Sequence, residues 1–266
     1  MKMTSSLKQA SDIFNNTFDL SEYFESVSAS TIKSNLIRTI DENKTPLIFL
    51  LGEPGVGKTY MLNIIKENYI LKKRVLFSSE PFSTPESFLY FLLKNQSVDK
   101  NLSLSELKDL AIRVYSQEDN IIIVDEAQLI SEKVLEFIRI LSDTGYFYFI
   151  ISMHKDEGHE ILNLQHFASR THLVLTLEKL TMNEILNYIQ GQLFRSSLGE
   201  YVEYFSMKEV RQIDVFADGN FRQMKQMLKH IFSIMDYASV NSKIGYTTPN
   251  RCVITMAAID LGIIDA

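Results

Sequence analysis

The clearest signals in this chain are short, unbroken apolar runs, each closed by glycine or polar residues. Leu47-Ile48-Phe49-Leu50-Leu51 is the first of them. A run of that length without polar interruption reads as a strand covered on both faces, the condition of strands in a parallel sheet. Similar runs follow at 74–77, 121–124, 147–151 and 172–175. Between them the period changes to that of a helix. Met61, Leu62, Ile65 and Tyr69 share one face, as do Val134, Leu135, Ile138 and Leu141. Strands alternating with helices predict an α/β fold, a three-layer αβα parallel sheet.

On either side of this core the pattern is purely helical. Residues 1–45 are polar and helix-like, with Leu36, Ile37 and Ile40 on one apolar face. After residue 178 the strand signals stop. Thr181 with Glu184 three residues on forms a capping-box pattern, and Leu180, Ile185, Leu186, Ile189 and Leu193 follow as a stripe. Val210, Ile213 and Phe216 predict a second helix. Phe221, Met224, Leu228, Ile231 and Met235 predict a third at 3–4–3–4 spacing. Thr248-Pro249 reads as the cap and first-turn proline of a last helix over 254–261. The expected organisation is an α/β domain over 1–178, with an N-terminal helical segment, and a small all-helical lid domain over 179–266.

Composition narrows the picture. Of 266 residues 45% are hydrophobic and 23% charged, which is ordinary for a globular chain. The net charge of −6 argues against a surface that is basic throughout, so DNA contact would need a local patch. Lys66, Lys72, Lys73 and Arg74 are the one such cluster, either a solvated face or a nucleic-acid contact. The single cysteine, Cys252, excludes an intrachain disulfide and a cysteine-based zinc site, and fits a reducing compartment. No apolar run approaches the roughly 20 residues of a membrane span, and the first residues do not read as a leader. A cytoplasmic protein is expected, held at the inner membrane only through a partner.

The chemistry lies where strands end. Residues 52–59 read Gly52-Glu53-Pro54-Gly55-Val56-Gly57-Lys58-Thr59, the G-x-x-x-x-G-K-[ST] pattern, between an apolar strand and an amphipathic helix opening through Tyr60. Glycines let the backbone curl so that its N–H groups converge on a phosphate at a helix N-terminus. Lys58 would then reach the β- and γ-phosphates of ATP, and Thr59 would offer a hydroxyl to Mg²⁺. The strand at 121–124 ends in Asp125-Glu126-Ala127-Gln128. Open α/β sheets bind ligands at that edge, so Asp125 is the expected Mg²⁺ partner and Glu126 the base that activates water. A water-activating acid favours a hydrolase over a small-molecule kinase. Residues 179–266 leave no room for the second strand-rich domain of a two-domain helicase.

These residues resemble the AAA+ superfamily over nearly the whole chain, through both nucleotide motifs and the helical lid. Asp-Glu-Ala-Gln after an isoleucine-rich strand is similar to the ExeA/GspA-type secretion ATPases and the TniB/MuB-type transposition ATPases. So are Tyr23-Phe24-Glu25-Ser26 and the segment Leu177-Glu178-Lys179-Leu180 with Glu184 and Tyr188-Ile189. The resemblance implies ATP bound between the two domains, with the adenine near 23–32. It implies a sensor at Ser152, with His154 as the competing candidate, and Arg170 reaching a neighbouring subunit's ATP. Arg222, in Gly219-Asn220-Phe221-Arg222, would be a lid sensor of the γ-phosphate. It further implies a homo-oligomer that remodels or assembles a partner complex, in secretion or pilus-type machinery or in DNA transposition or uptake. The alternative is an ATP-controlled switch or DNA-binding recruitment module with slow hydrolysis.

Overall fold

The computed structural model describes residues 5–15, 17–20, 23–43, 45–99, 101–164, 167 and 172–265. In chain order these form α1 (Ser6–Asp12), α2 (Val27–Glu42), β1 (Leu47–Gly52), α3 (Lys58–Tyr69), β2 (Arg74–Ser78), α4 (Pro85–Leu92), α5 (Leu104–Tyr115) and β3 (Asn120–Val124). Then come α6 (Glu132–Ser142), β4 (Phe149–Met153), α7 (Lys155–Leu162), β5 (Leu173–Leu177), α8 (Met182–Arg195), α9 (Met207–Ala217), α10 (Phe221–Val240) and α11 (Arg251–Asp260). The chain divides into two compact units, Val27–Glu53 with Gly57–Glu178, and Met1–Ser26 with Pro54–Val56 and Lys179–Ala266.

The first unit holds a five-stranded sheet in the order β2-β3-β4-β1-β5, parallel throughout. Every residue of β1, β3 and β4 is buried, which is why these strands read as unbroken apolar runs. The edge strands β2 and β5 are only partly covered. Helices α3 and α6 turn the predicted faces inward: Met61, Leu62 and Ile65, and Val134, Ile138 and Leu141, are sealed from solvent. The expected strand at 147–151 begins two residues later. Phe147 is fully buried but packs its ring on Phe149, centroids 6.0 Å apart, and does not join the ladder. The fifth strand likewise runs Leu173–Leu177, beyond the expected 172–175. Asn120 opens β3 as a buried bracket. Its amide donates to the Tyr146 carbonyl at 2.7 Å and its oxygen accepts from the Tyr148 N–H at 3.3 Å.

The second unit is helical. The capping box at Thr181 forms as expected, with the Thr181 N–H donating to Glu184 Oε2 at 2.8 Å. Helix α10 buries Met224, Leu228, Ile231 and Met235 along the predicted stripe, with Met227 and Phe232 beside them. The last helix starts at Arg251, capped by Asn250, whose Oδ1 accepts from the Val253 N–H at 3.1 Å. Thr248 is therefore not the cap: Asn250 supplies the same short side-chain acceptor two residues later. Helix α1 belongs to this unit too. Phe14 stacks on Phe232 with centroids 5.8 Å apart, and Ser11 Oγ donates to the Lys229 carbonyl at 3.0 Å. Among the described residues, no helix is long and apolar enough to cross a membrane.

Candidate nucleotide site

The turn after β1 is built by two glycines in the left-handed region, Gly55 at φ 78° and Gly57 at φ 105°. Side chains rarely adopt these angles, so the curl of the loop depends on them. Gly57 fills a fixed place in the sequence pattern, whereas Gly55 fills a variable one. Its need for glycine is doubled because a Cβ there would collide with the side-chain amide of Asn220. Gly57 is also the N-cap of α3, so the free N–H groups of the first turn open onto the loop.

Lys58 is the first residue of α3 and is buried. Its ammonium donates to the loop carbonyls of Gly52 at 2.8 Å and Glu53 at 3.1 Å. Burial pulls its pKa below the ordinary lysine value, while the nearby carboxylates of Glu126, Asp125, Glu53 and Glu157 push the other way. The next residue, Thr59, donates its hydroxyl to Asp125 Oδ2 at 2.7 Å.

Asp125 follows β3 and is almost sealed from solvent. Its N–H is tied to the Ser78 carbonyl of β2 at 2.8 Å, so the sheet fixes its place. Its other oxygen accepts from the Ser152 hydroxyl and from the Glu126 N–H at 3.1 Å. Strand β4 lies between β1 and β3, with Ser152 in register with Leu50, so this hydroxyl comes between the loop and the acids. Glu126 has left-handed backbone, φ 53° and ψ 42°, which costs a non-glycine residue about 1–2 kcal/mol. Its carboxylate accepts from Gln128 Nε2 and lies 3.7 Å from His154 Nε2. His154 Nδ1 is in turn 3.6 Å from Glu157.

The sheet-bearing unit thus brings together Gly52, Lys58, Thr59, Asp125, Glu126, Ser152 and His154. Of the two sensor candidates, Ser152 bonds the buried Asp125 carboxylate and accepts from the Glu126 N–H at 3.4 Å, while His154 approaches the Glu126 carboxylate. Gln128 and Glu157 were not singled out as site residues. Their approach depends on the left-handed turn at Glu126 and on the start of α7, neither of which has a sequence signature. Arg222 is exposed in the first turn of α10, in the helical unit. Tyr23, from the segment expected near the adenine, has its phenol pushed up to about 12 by burial and then by Glu25. Arg170 lies outside the described residues.

Thr59 Oγ1 and Asp125 Oδ2 are hard oxygens within a hydrogen bond of each other. That donor set fits Mg²⁺, which takes one or two protein oxygens and completes its octahedron with water and phosphate. Ser152 orients the acid of that pair. Ser152→Ala is therefore expected to raise the Mg²⁺ concentration needed for half-maximal ATPase activity about tenfold, the usual effect of losing an outer partner of a metal ligand. A magnesium titration at saturating ATP checks this.

The cluster expected as a solvated face or a nucleic-acid contact is internally paired. Lys73 bonds Asp119 and Arg74 bonds Glu118, both at 2.9 Å, while Lys66 and Lys72 lie over the rings of Phe77 and Tyr69. Two of its four charges are therefore offset by neighbouring acids.

A phosphate loop leading from β1 into α3, with two acids across an intervening parallel strand, is the architecture of the AAA+ P-loop fold. Residues 41–162 match the family model described as an AAA domain. The chain is similar in structure to Cdc6p from Pyrobaculum aerophilum, at 17% identity and TM-score 0.63, covering 87% of this chain and 66% of that one. It is similar to ORC of Drosophila in a DNA-bound structure, at 14% identity and TM-score 0.65, covering 97% and 66%. It also resembles domain III of the Thermotoga maritima replication initiation protein DnaA, at 17% identity and TM-score 0.55, covering 92% and 97%. The chain spans just under two thirds of the Cdc6p and ORC chains. No curated protein matches it significantly.

Proposed function

We propose that this chain binds Mg·ATP in the 52–59 loop and uses its hydrolysis to remodel a DNA-handling assembly. The observation that carries the chemistry is the bond from Thr59 to Asp125, which joins the phosphate loop to the acidic strand end beside Glu126. In this reading Lys58 exchanges the Gly52 and Glu53 carbonyls for β- and γ-phosphate oxygens, and the loop N–H groups hold the remainder. Thr59 and Asp125 hold Mg²⁺, which supplies charge neutralisation on the phosphates. Glu126 takes a proton from water as its oxygen bonds the γ-phosphorus. The bond from that phosphorus to the bridging oxygen breaks, and ADP leaves with the electron pair. Arg222, and Arg170 from a neighbouring copy, are assigned the further positive charge that the reaction needs.

The likeness to ORC bound to DNA supports the choice of a DNA-handling assembly. The pairing of Lys73 with Asp119 and of Arg74 with Glu118 weakens the case for a DNA contact at that cluster. Secretion and transposition roles rest on the sequence resemblance alone, carried by Asp-Glu-Ala-Gln and the segments at 23–26 and 177–189. The test is steady-state phosphate release by the full chain, with and without duplex DNA, over a range of protein concentrations. Turnover is expected to rise severalfold with DNA and with concentration, as subunits complete one another's sites. A rate indifferent to both would refute the DNA-handling and oligomer readings while leaving the hydrolase intact.

A further inference from the structure

Glu126 lies in a left-handed turn with 39% of its side chain exposed, so packing alone restrains its carboxylate little. What engages it is chemical. Gln128 sits two residues on, in the short 3-10 turn Ala127–Leu129, and its Nε2 donates to Glu126 Oε2. The opposite amide orientation would set an amide oxygen against a carboxylate oxygen, two acceptors with no hydrogen between them. Glu126 therefore dictates which way the amide faces. The consequence is visible on its other side, where Gln128 Oε1 is buried with no hydrogen-bond partner. A buried acceptor left unpaired is unfavourable, so the bond from Nε2 to Glu126 is made at a cost on the other side of the amide. His154 Nε2 approaches the same carboxylate oxygen, Oε2. Both neighbours thus engage one oxygen of Glu126.

We propose that Gln128 is a positioning residue for hydrolysis: its amide N–H fixes the Glu126 carboxylate through Oε2 and reserves Oε1 for the attacking water. This rests on Glu126 being the base. Alignment of a base against its water is worth large factors in rate, and an unrestrained carboxylate spends less time in the productive pose. Because Gln128 acts through Glu126 and touches no phosphate, its loss lowers kcat and leaves KM for ATP alone.

The experiment compares Gln128→Ala and the isosteric Gln128→Glu with the parent protein, and adds Gln128→Ala to Glu126→Gln. Thermal melting establishes that each variant is folded. Gln128→Ala is expected to lower kcat about tenfold with KM within twofold, and Gln128→Glu to lower it at least as far, because it replaces the donor with a like charge. In the Glu126→Gln background, Gln128→Ala should leave the residual single-turnover rate unchanged. Near-normal activity in Gln128→Glu would reduce Gln128 to a packing role and overturn the proposal. So would a rise in KM at constant kcat, or full additivity with Glu126→Gln. A Glu126→Gln protein that hydrolyses ATP normally would instead sink the base assignment itself, a separate result.

Discussion

Lys58→Ala should weaken Mg·ATP binding at least a hundredfold, to below detection by calorimetry at micromolar protein. Lys58 is a buried ammonium whose hydrogen bonds run to two backbone carbonyls of the same loop. Its charge is compensated at a distance by Glu126, Asp125, Glu53 and Glu157, which together leave the loop short of positive charge once Lys58 is gone. Bringing a triphosphate there without the lysine sets anion against anion in a partly desolvated site. A charge-assisted hydrogen bond is worth about 1.5–3 kcal/mol, and the added repulsion brings the loss to a factor of about a hundred or more. Circular dichroism should show an unchanged fold, since the hydrogen bonds that Lys58 gives up run only to backbone carbonyls of the loop. A variant that binds Mg·ATP as tightly as the parent would mean that this loop is not the phosphate cradle.

Glu126→Gln should separate binding from chemistry. The substitution preserves shape and keeps an oxygen for Gln128 Nε2 to bond. It removes the basicity needed to take a proton from water. Phosphate release is expected to fall about 10²–10⁴-fold, the usual contribution of a general base, while the dissociation constant for Mg·ATP stays within about threefold. Calorimetry and a phosphate-release assay on one preparation check both halves. Unimpaired hydrolysis would move the base elsewhere, and His154, 3.7 Å from Glu126, would be the next residue to change.

Where burial or a strict local pattern decides structure, the sequence is transparent. Strands β1 and β3 are covered on both faces and read as unbroken apolar runs. The phosphate loop and the Thr181 cap are contiguous patterns whose geometry follows from a few residues. Phe147 looked like strand because a buried ring in the core and a buried ring in a ladder have the same hydropathy. The left-handed backbone at Glu126 carries no marker, since glutamate rarely adopts it. Gln128, although part of the recognised Asp-Glu-Ala-Gln run, therefore gave no hint that it turns back on Glu126. Gly55 occupies a position where the pattern accepts any residue, and only its left-handed φ and the approach of Asn220 show why glycine is present. From sequence Ser152 is expected just after the fourth strand; it lies within β4, and its bond to Asp125 follows from the pairing of β4 with β3, where Val124 lies opposite Ile151.

Helix α1 leaves its mark on how the chain must be assembled. Ser11 meets Lys229 across 218 residues of sequence, and Phe14 waits for Phe232. A growing chain presents the apolar side of α1 before the sheet-bearing unit is made and supplies its seat in α10 only after it. Closing so long a loop is entropically slow. The helical unit therefore reaches its final form only after residues 27–178 have been made, and until then the apolar face of α1 lacks the helices it packs against.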